Sequence, residues 1–327
     1  MPRSPRMSLR TRAFTAAYDR VTGRTPVADL TAEQRDRARG FSWPARAPVS
    51  WVTGAVPRGV TMWDSRFAAR DGVSVPLRLY RPAPGASTAP LPVVVYLHGG
   101  GWVLGSTRGY DALCGYLADA VDALVVSVDY RLAPEHPAPQ GVHDTVDAVR
   151  WLADNAAGLG ADGSRLAVCG DSAGGNLAAV SALVMRDEGG PRISHQALLY
   201  PGTDATLGHP SVDEHADAPM LTRSDIVGYL GHYLAGTGLD VKDPVVSPFW
   251  ADDLSGLPPA LVQTADLDPL RDEGQGYAAR LATAGVPVRA TNYAGAPHGF
   301  MSIPGVVPAA AQARFELATE LRAHLHS

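Results

Sequence analysis

From about residue 73 onward, short apolar runs alternate with amphipathic stretches. Val93–Leu97 is apolar at every position, as expected of a strand buried on both faces; Val73–Tyr80 alternates and predicts an early strand near a sheet edge. Ala123–Asp129, Leu166–Cys169, Ala197–Tyr200, Ala260–Thr264 and Val286–Asn292 extend the strand series. Between them, Tyr110–Val121, Gly141–Asn155, Asn176–Arg186, Glu273–Ala284 and Pro308–His324 read as helices. This alternation predicts an α/β fold, a mostly parallel central sheet flanked by helices, with ligand sites at the carboxyl ends of the strands. Two stretches fit it poorly. Residues 1–60, with a helix-like Ser8–Val21, and residues at about 203–235, with helical Thr222–Leu234, are either cap elements over a pocket or peripheral extensions. The expected organisation is an N-terminal cap element over 1–60 and a main domain over 61–327 that carries the second cap element.

Composition trims the functional classes. Hydrophobic residues make up 46% of the chain, enough for a sizeable core, and a net charge of −5 argues against a general nucleic-acid binder. Two cysteines, Cys114 and Cys169, cannot build a disulfide framework; Cys169 ends an apolar run and reads as a buried free thiol. No segment approaches the roughly 18 consecutive apolar residues of a membrane span, and no signal-peptide pattern follows the N-terminal arginines, so a cytoplasmic location is expected.

The chemistry lies where strands end. Leu166-Ala-Val-Cys169 runs into Gly170-Asp-Ser-Ala-Gly174, a strand, tight turn and helix start. Gly-x-Ser-x-Gly is the nucleophile-elbow pattern: glycines relieve crowding at a sharp turn, and the hydroxyl of Ser172 is presented at a helix N-terminus. Upstream, Val93–Leu97 leads into His98-Gly-Gly-Gly-Trp102. Consecutive glycines can aim backbone N–H groups at a developing oxyanion; Gly100 and Gly101 are assigned that role, with the N–H of Ala173 as third donor. A phosphate-cradling loop is disfavoured, because the Lys and Ser/Thr of a Walker motif are missing. His98 is assigned to shaping the loop, not to catalysis.

A serine nucleophile needs a base and a carboxylate to orient it, in chain order Ser, acid, His. Of the histidines after Ser172, His195 lies at the wrong end of its strand, His324 and His326 close the terminal helix, and His209, His215 and His232 fall in the possible cap region. His298 follows the Val286–Asn292 strand and is the candidate base. For the acid, Asp266 and Asp268 both lie just past the Ala260–Thr264 strand; Pro269 stiffens the backbone beside Asp268 and favours it slightly. Asp272 and Glu273 suit a helix first turn and need no further explanation at this level. Trp102 and Asp171, beside the two motifs, are candidate substrate-contacting residues.

Together, His98-Gly-Gly-Gly-Trp102, Asp129-Tyr-Arg-Leu-Ala-Pro-Glu-His136-Pro, Gly170-Asp-Ser-Ala-Gly-Gly175-Asn, Asp268-Pro-Leu-Arg-Asp-Glu273 and His298-Gly-Phe300 resemble the hormone-sensitive-lipase-like (bacterial family IV) esterases of the α/β-hydrolase superfamily. The blocks stand in that family's order between about residues 70 and 315. The resemblance implies a Ser172–His298–Asp268 triad, an oxyanion hole from Gly100, Gly101 and Ala173, and a cap built from the N-terminus and the segment after Tyr200. It also implies that Glu135 and His136 brace loops. The implied activity is hydrolysis of small short-acyl esters through an acyl-enzyme, with no cofactor or metal. A metabolite-specific deacetylase or amidase would share the triad, and a non-catalytic small-molecule receptor would share the fold. Self-association into a homodimer through an exposed sheet edge is compatible with any of these.

Overall fold

A computed structural model describes residues 7–22, 25–44, 46–85 and 89–327. The first residues of the expected N-terminal cap element, Met1–Arg6, lie outside the described residues. Three helices open the chain: α1 (Leu9–Thr22), α2 (Ala32–Arg39) and α3 (Val49–Thr53). The strands are β1 (Thr61–Ala68), β2 (Ser74–Arg81), β3 (Leu91–Leu97), β4 (Leu124–Val128), β5 (Ala161–Asp171), β6 (Ile193–Leu199), β7 (Ala260–Leu267) and β8 (Val288–Pro297). Helices α4 (Asp111–Val121), α5 (Gln140–Asn155), α6 (Ala173–Asp187), α9 (Arg271–Thr283) and α10 (Ala309–Leu325) alternate with them, while α7 (Pro210–Glu214) and α8 (Arg223–Tyr233) follow β6.

The strands form one sheet in the order β1-β2-β4-β3-β5-β6-β7-β8. The β1–β2 and β2–β4 pairs are antiparallel, and all others are parallel. The strand expected near the edge, β2, is therefore interior, because β1 covers it. The sequence pattern misses β1: Asp64 and Arg66 interrupt its apolar positions, and most of its residues are at least partly exposed, as suits a true edge strand.

Period-two alternation splits the core. Val93, Val95 and Leu97 of β3 pack with Leu166, Val168 and residues of α5, α6 and α9. Val94 and Tyr96 point to the opposite face, where they join Ala167, Cys169 and residues of α4 and α10. Both free thiols are buried in that second cluster. With helices filling both faces, the carboxyl edge of the central strands is left to build a site. Over that edge lies α8, packed on the turn Val27–Asp29 that links α1 to α2. No helix among the described residues is long and apolar enough to cross a membrane.

Candidate active site

At the end of β5 the backbone turns so sharply that Ser172 adopts φ 55°, ψ −121°. A Cβ at Gly170 would lie 2.2 Å from the Gly174 carbonyl oxygen, and one at Gly174 would lie 2.0 Å from that of Leu97. Only glycine lets β3, β5 and α6 approach this closely. The Ser172 N–H donates to the Leu199 carbonyl at 2.8 Å, which ties the turn to β6.

The half-buried Ser172 hydroxyl meets His298 Nε2 at 2.9 Å, and His298 Nδ1 lies 2.7 Å from Asp268 Oδ2. Asp268 is fully buried, and its Oδ1 accepts from the Leu270 N–H at 3.0 Å. The Tyr200 ring meets the His298 imidazole edge-on at 4.9 Å. Asp266, the other candidate acid, instead accepts from the Gly295 N–H at 3.2 Å, within the segment that leads to His298.

The glycine loop after β3 is held from several sides. Gly100 and Gly101 have φ of 123° and 60°, and the Gly100 carbonyl accepts from Val103 and Leu104. Among the described residues the N–H groups of Gly100, Gly101 and Ala173 donate to no other group, and Gly101 and Ala173 line the same pocket as Ser172. His98 stacks on Tyr130 at 4.4 Å, and the Tyr130 hydroxyl donates to the His98 carbonyl at 2.7 Å. From α2, Arg39 donates to the Val103 and Ala133 carbonyls and, with Arg35, pairs with Glu135. Partial burial raises the Glu135 carboxyl, but the two arginines outweigh it and hold the group at about 2.

Asp171 departs from its expected place at the substrate. Its buried carboxyl accepts from the Gly99 N–H at 2.9 Å, the Tyr96 hydroxyl at 2.8 Å and the Tyr110 hydroxyl at 3.0 Å. Burial pushes its pKa up and the three donors pull it down, with burial the stronger. Its bond to the Gly99 N–H, with the two tyrosines holding the carboxyl in place, makes it a brace for the glycine loop. Trp102 does line the pocket, its ring stacked 4.4 Å from that of Tyr233 on α8.

The pocket has a volume of about 480 Å³, part of it open to solvent. Its floor and walls are mainly apolar: Leu221, Ile226, Tyr229 and Leu230 from α8 and the loop before it, with Val246 and Leu270. A model of the alpha/beta hydrolase fold matches residues 94–302, which span every element of this site except α8's partner turn and the N-terminal helices. The chain belongs to the α/β-hydrolase family. It falls in the hormone-sensitive-lipase-like branch of that family. It is 47% identical over 269 residues to the carboxylesterase NlhH of Mycobacterium tuberculosis, covering 81% of this chain and 83% of that one. To the ethyl acetate hydrolase of Pseudomonas putida it is 37% identical over 265 residues, covering 80% and 82%. Among solved structures, an ester hydrolase from the metagenome of Lake Arreo superposes with a TM-score of 0.89 at 36% identity, covering 98% of this chain and all of that one. The hyperthermophilic esterase of Pyrobaculum calidifontis gives 0.87 at 38% identity, with 97% and 98% covered.

Within this α/β-hydrolase site, motif reading overlooked two groups. Tyr229 packs so closely on the glycine loop that a Cβ at Gly101 would fall 2.2 Å from its ring. Glu273, read as an ordinary helix-start carboxylate, is fully buried and lines the pocket. The available signal was its register: Glu273, Tyr277 and Leu281 recur at helical spacing and share the inward face of α9.

Proposed function

We propose that this chain is a carboxylesterase in which Ser172 is the nucleophile, His298 the general base and acid, and Asp268 the group that orients the imidazole. The observation that carries the reading is the unbroken chain from Ser172 Oγ to His298 Nε2 at 2.9 Å and from His298 Nδ1 to Asp268 Oδ2 at 2.7 Å, opening onto an apolar pocket. Ser172 Oγ attacks the ester carbonyl carbon as His298 Nε2 takes its proton, and Asp268 stabilises the imidazolium. The negative oxygen of the tetrahedral intermediate is received by the N–H groups of Gly100, Gly101 and Ala173, each donor of this kind being worth about 3–4 kcal/mol. His298 then protonates the departing alcohol, and water cleaves the acyl-enzyme by the reverse path.

The size and apolar lining of the pocket favour short acyl chains and small esters. Residues 7–60 and α7–α8 act as the cap, since α8 forms one pocket wall and rests on the N-terminal turn Val27–Asp29. Steady-state hydrolysis of p-nitrophenyl butyrate tests the assignment: Ser172→Ala should lower kcat by at least about a thousandfold, in line with other serine hydrolases. Full turnover by that variant would overturn it.

A further inference from the structure

Charge is unevenly spread along the chain. Residues 1–24 hold six arginines against one carboxylate, Asp19, while the chain as a whole carries −5. Helix α1 lies within that stretch. On its inward side Thr11 and Thr15 are buried, and Phe14 packs on the core face shared with α4 and α10. Its outward side is exposed at Leu9, Arg10, Arg12, Ala13, Ala16 and Arg20. With about 3.6 residues per turn, Leu9, Ala13, Ala16 and Arg20 fall in one narrow stripe, and Arg10 and Arg12 flank it on opposite sides. On α2, Arg35 and Arg39 pair with Glu135 and Asp36. Arg10, Arg12 and Arg20 have no carboxylate partner among the described residues. The exposed face continues onto α3. Thr11 Oγ1 donates to the Val306 carbonyl at 2.6 Å and the Gly305 N–H donates to the Val52 carbonyl at 2.9 Å, so α1 and α3 sit against neighbouring residues of one loop. Beside these contacts, Leu9 is 82% exposed and Trp51 73%, the two most exposed large apolar side chains among the described residues.

Exposed apolar side chains flanked by unpaired arginines suit a surface that is anionic outside and apolar beneath. Trp and Leu side chains enter the headgroup boundary of a bilayer, and arginines gain from anionic lipid. We infer that α1 and Trp51 form a docking face for an anionic membrane surface, with α1 lying flat in the headgroup layer. The acidic remainder of the chain is repelled by such a surface, so attraction favours approach by this face. An RNA would use the arginines but not Leu9. The chain leaving α1 enters the turn Val27–Asp29, where the Val27 carbonyl accepts from His232 Nε2 of α8 at 3.0 Å. A membrane contact at α1 is therefore one turn of chain away from a pocket wall. The inference goes beyond the esterase reading and does not require it.

Co-sedimentation of the whole chain with vesicles tests it. At low salt, partition into phosphatidylcholine vesicles containing about a third phosphatidylglycerol should exceed that into pure phosphatidylcholine about tenfold or more, and high salt should remove most of the excess. Arg10→Gln/Arg12→Gln should weaken partition into the anionic vesicles at least about tenfold, a basic side chain near such a surface being worth about fivefold. Leu9→Ser/Trp51→Ser should weaken it at least about fivefold through lost apolar burial. All four side chains are exposed, so urea midpoints near the wild-type value should show that both variants fold. Should either variant unfold, the lipid and salt dependence of the wild-type protein decides. Equal partition into the two kinds of vesicle, or none into either, overturns the inference. Wild-type partition by the arginine variant would place the contact elsewhere and overturn it too. If the Leu9/Trp51 variant partitions like the wild type, and a single-stranded RNA binds as tightly as the vesicles, the face belongs to a polyanion in solution and the inference fails.

Discussion

Ser172 is held at a positive φ that most residues with a Cβ avoid, and the turn keeps it there by leaving its neighbours no room to relax. Gly174 shows how tightly: the only position open to a methyl group is 2.0 Å from the Leu97 carbonyl oxygen and 2.7 Å from that of His98. Backbone atoms of a central strand cannot swing aside as a flexible side chain would. Gly174→Ala should therefore cost about 3 kcal/mol, the upper part of the range for overpacking, and also move the serine. Urea denaturation would show the lowered midpoint, and a matching loss of kcat would show the displaced hydroxyl. At this scale the residue types of the site were legible, because Gly-x-Ser-x-Gly, the triple glycine and His-Gly-Phe carry their chemistry in their spacing. Asp266 and Asp268 were not separable by spacing, since both follow the same strand; only the fold turns one to the imidazole and the other to the Gly295 N–H. Glu273 was illegible for the same reason. A carboxylate in a helix first turn satisfies the dipole wherever it points, and burial comes from the tertiary register.

Among the elements, α8 was legible as a helix and its docking was not. Its two aromatic contacts fall on consecutive residues of the glycine loop: Tyr229 against Gly101, and Tyr233 stacked on Trp102 at 8° between ring planes. One element thus packs directly on a proposed oxyanion donor, coupling the pocket wall to the chemistry. Gly101→Ala should displace α8 and cut kcat/KM for p-nitrophenyl butyrate by more than about tenfold, an ångström-scale misplacement being enough for that. In Gly101→Ala/Tyr229→Ala the steric conflict is gone and part of the activity should return. The remaining deficit would measure the cost of alanine at φ 60°. If the double variant is no more active than the single one, the Tyr229 contact is not the cause. The same scale explains the edge strand. β1 pairs with β2 along its whole length, yet its sequence mixes charge with apolar residues because one side and one edge face water.

Across the whole molecule, chemistry and packing separate to opposite ends of the sheet. The carboxyl ends of β3, β5, β6, β7 and β8 carry the site, while near the amino end of β6 the ring of His195 stacks on that of His324 from α10 at 4.4 Å. His195 is buried, and neither ring nitrogen has a partner among the described residues. Burial, reinforced by the nearby His324, lowers its pKa from 6.5 to about 3. Above pH 6.5 the ring is neutral in both folded and unfolded chains and contributes nothing to pH dependence. Below it, the unfolded chain takes up a proton that the folded chain refuses, so stability falls by about 1.4 kcal/mol per pH unit until pH approaches 3. Going from pH 7 to pH 5 should thus cost about 2 kcal/mol from this residue alone. His195→Leu, close in volume and without a titrating group, should remove that share of the acid sensitivity. His143, lowered by burial and by Arg70, would keep a smaller dependence of the same sign. Urea midpoints of both proteins at pH 7, 6 and 5 provide the check: parallel declines would show that His195 is not protonated on unfolding in this window. Because the pair lies at the other end of β6 from the Leu199 carbonyl that holds Ser172, the variant should keep wild-type kcat/KM at pH 7. A loss of activity there would mean that the two ends of the sheet are coupled more strongly than their packing implies.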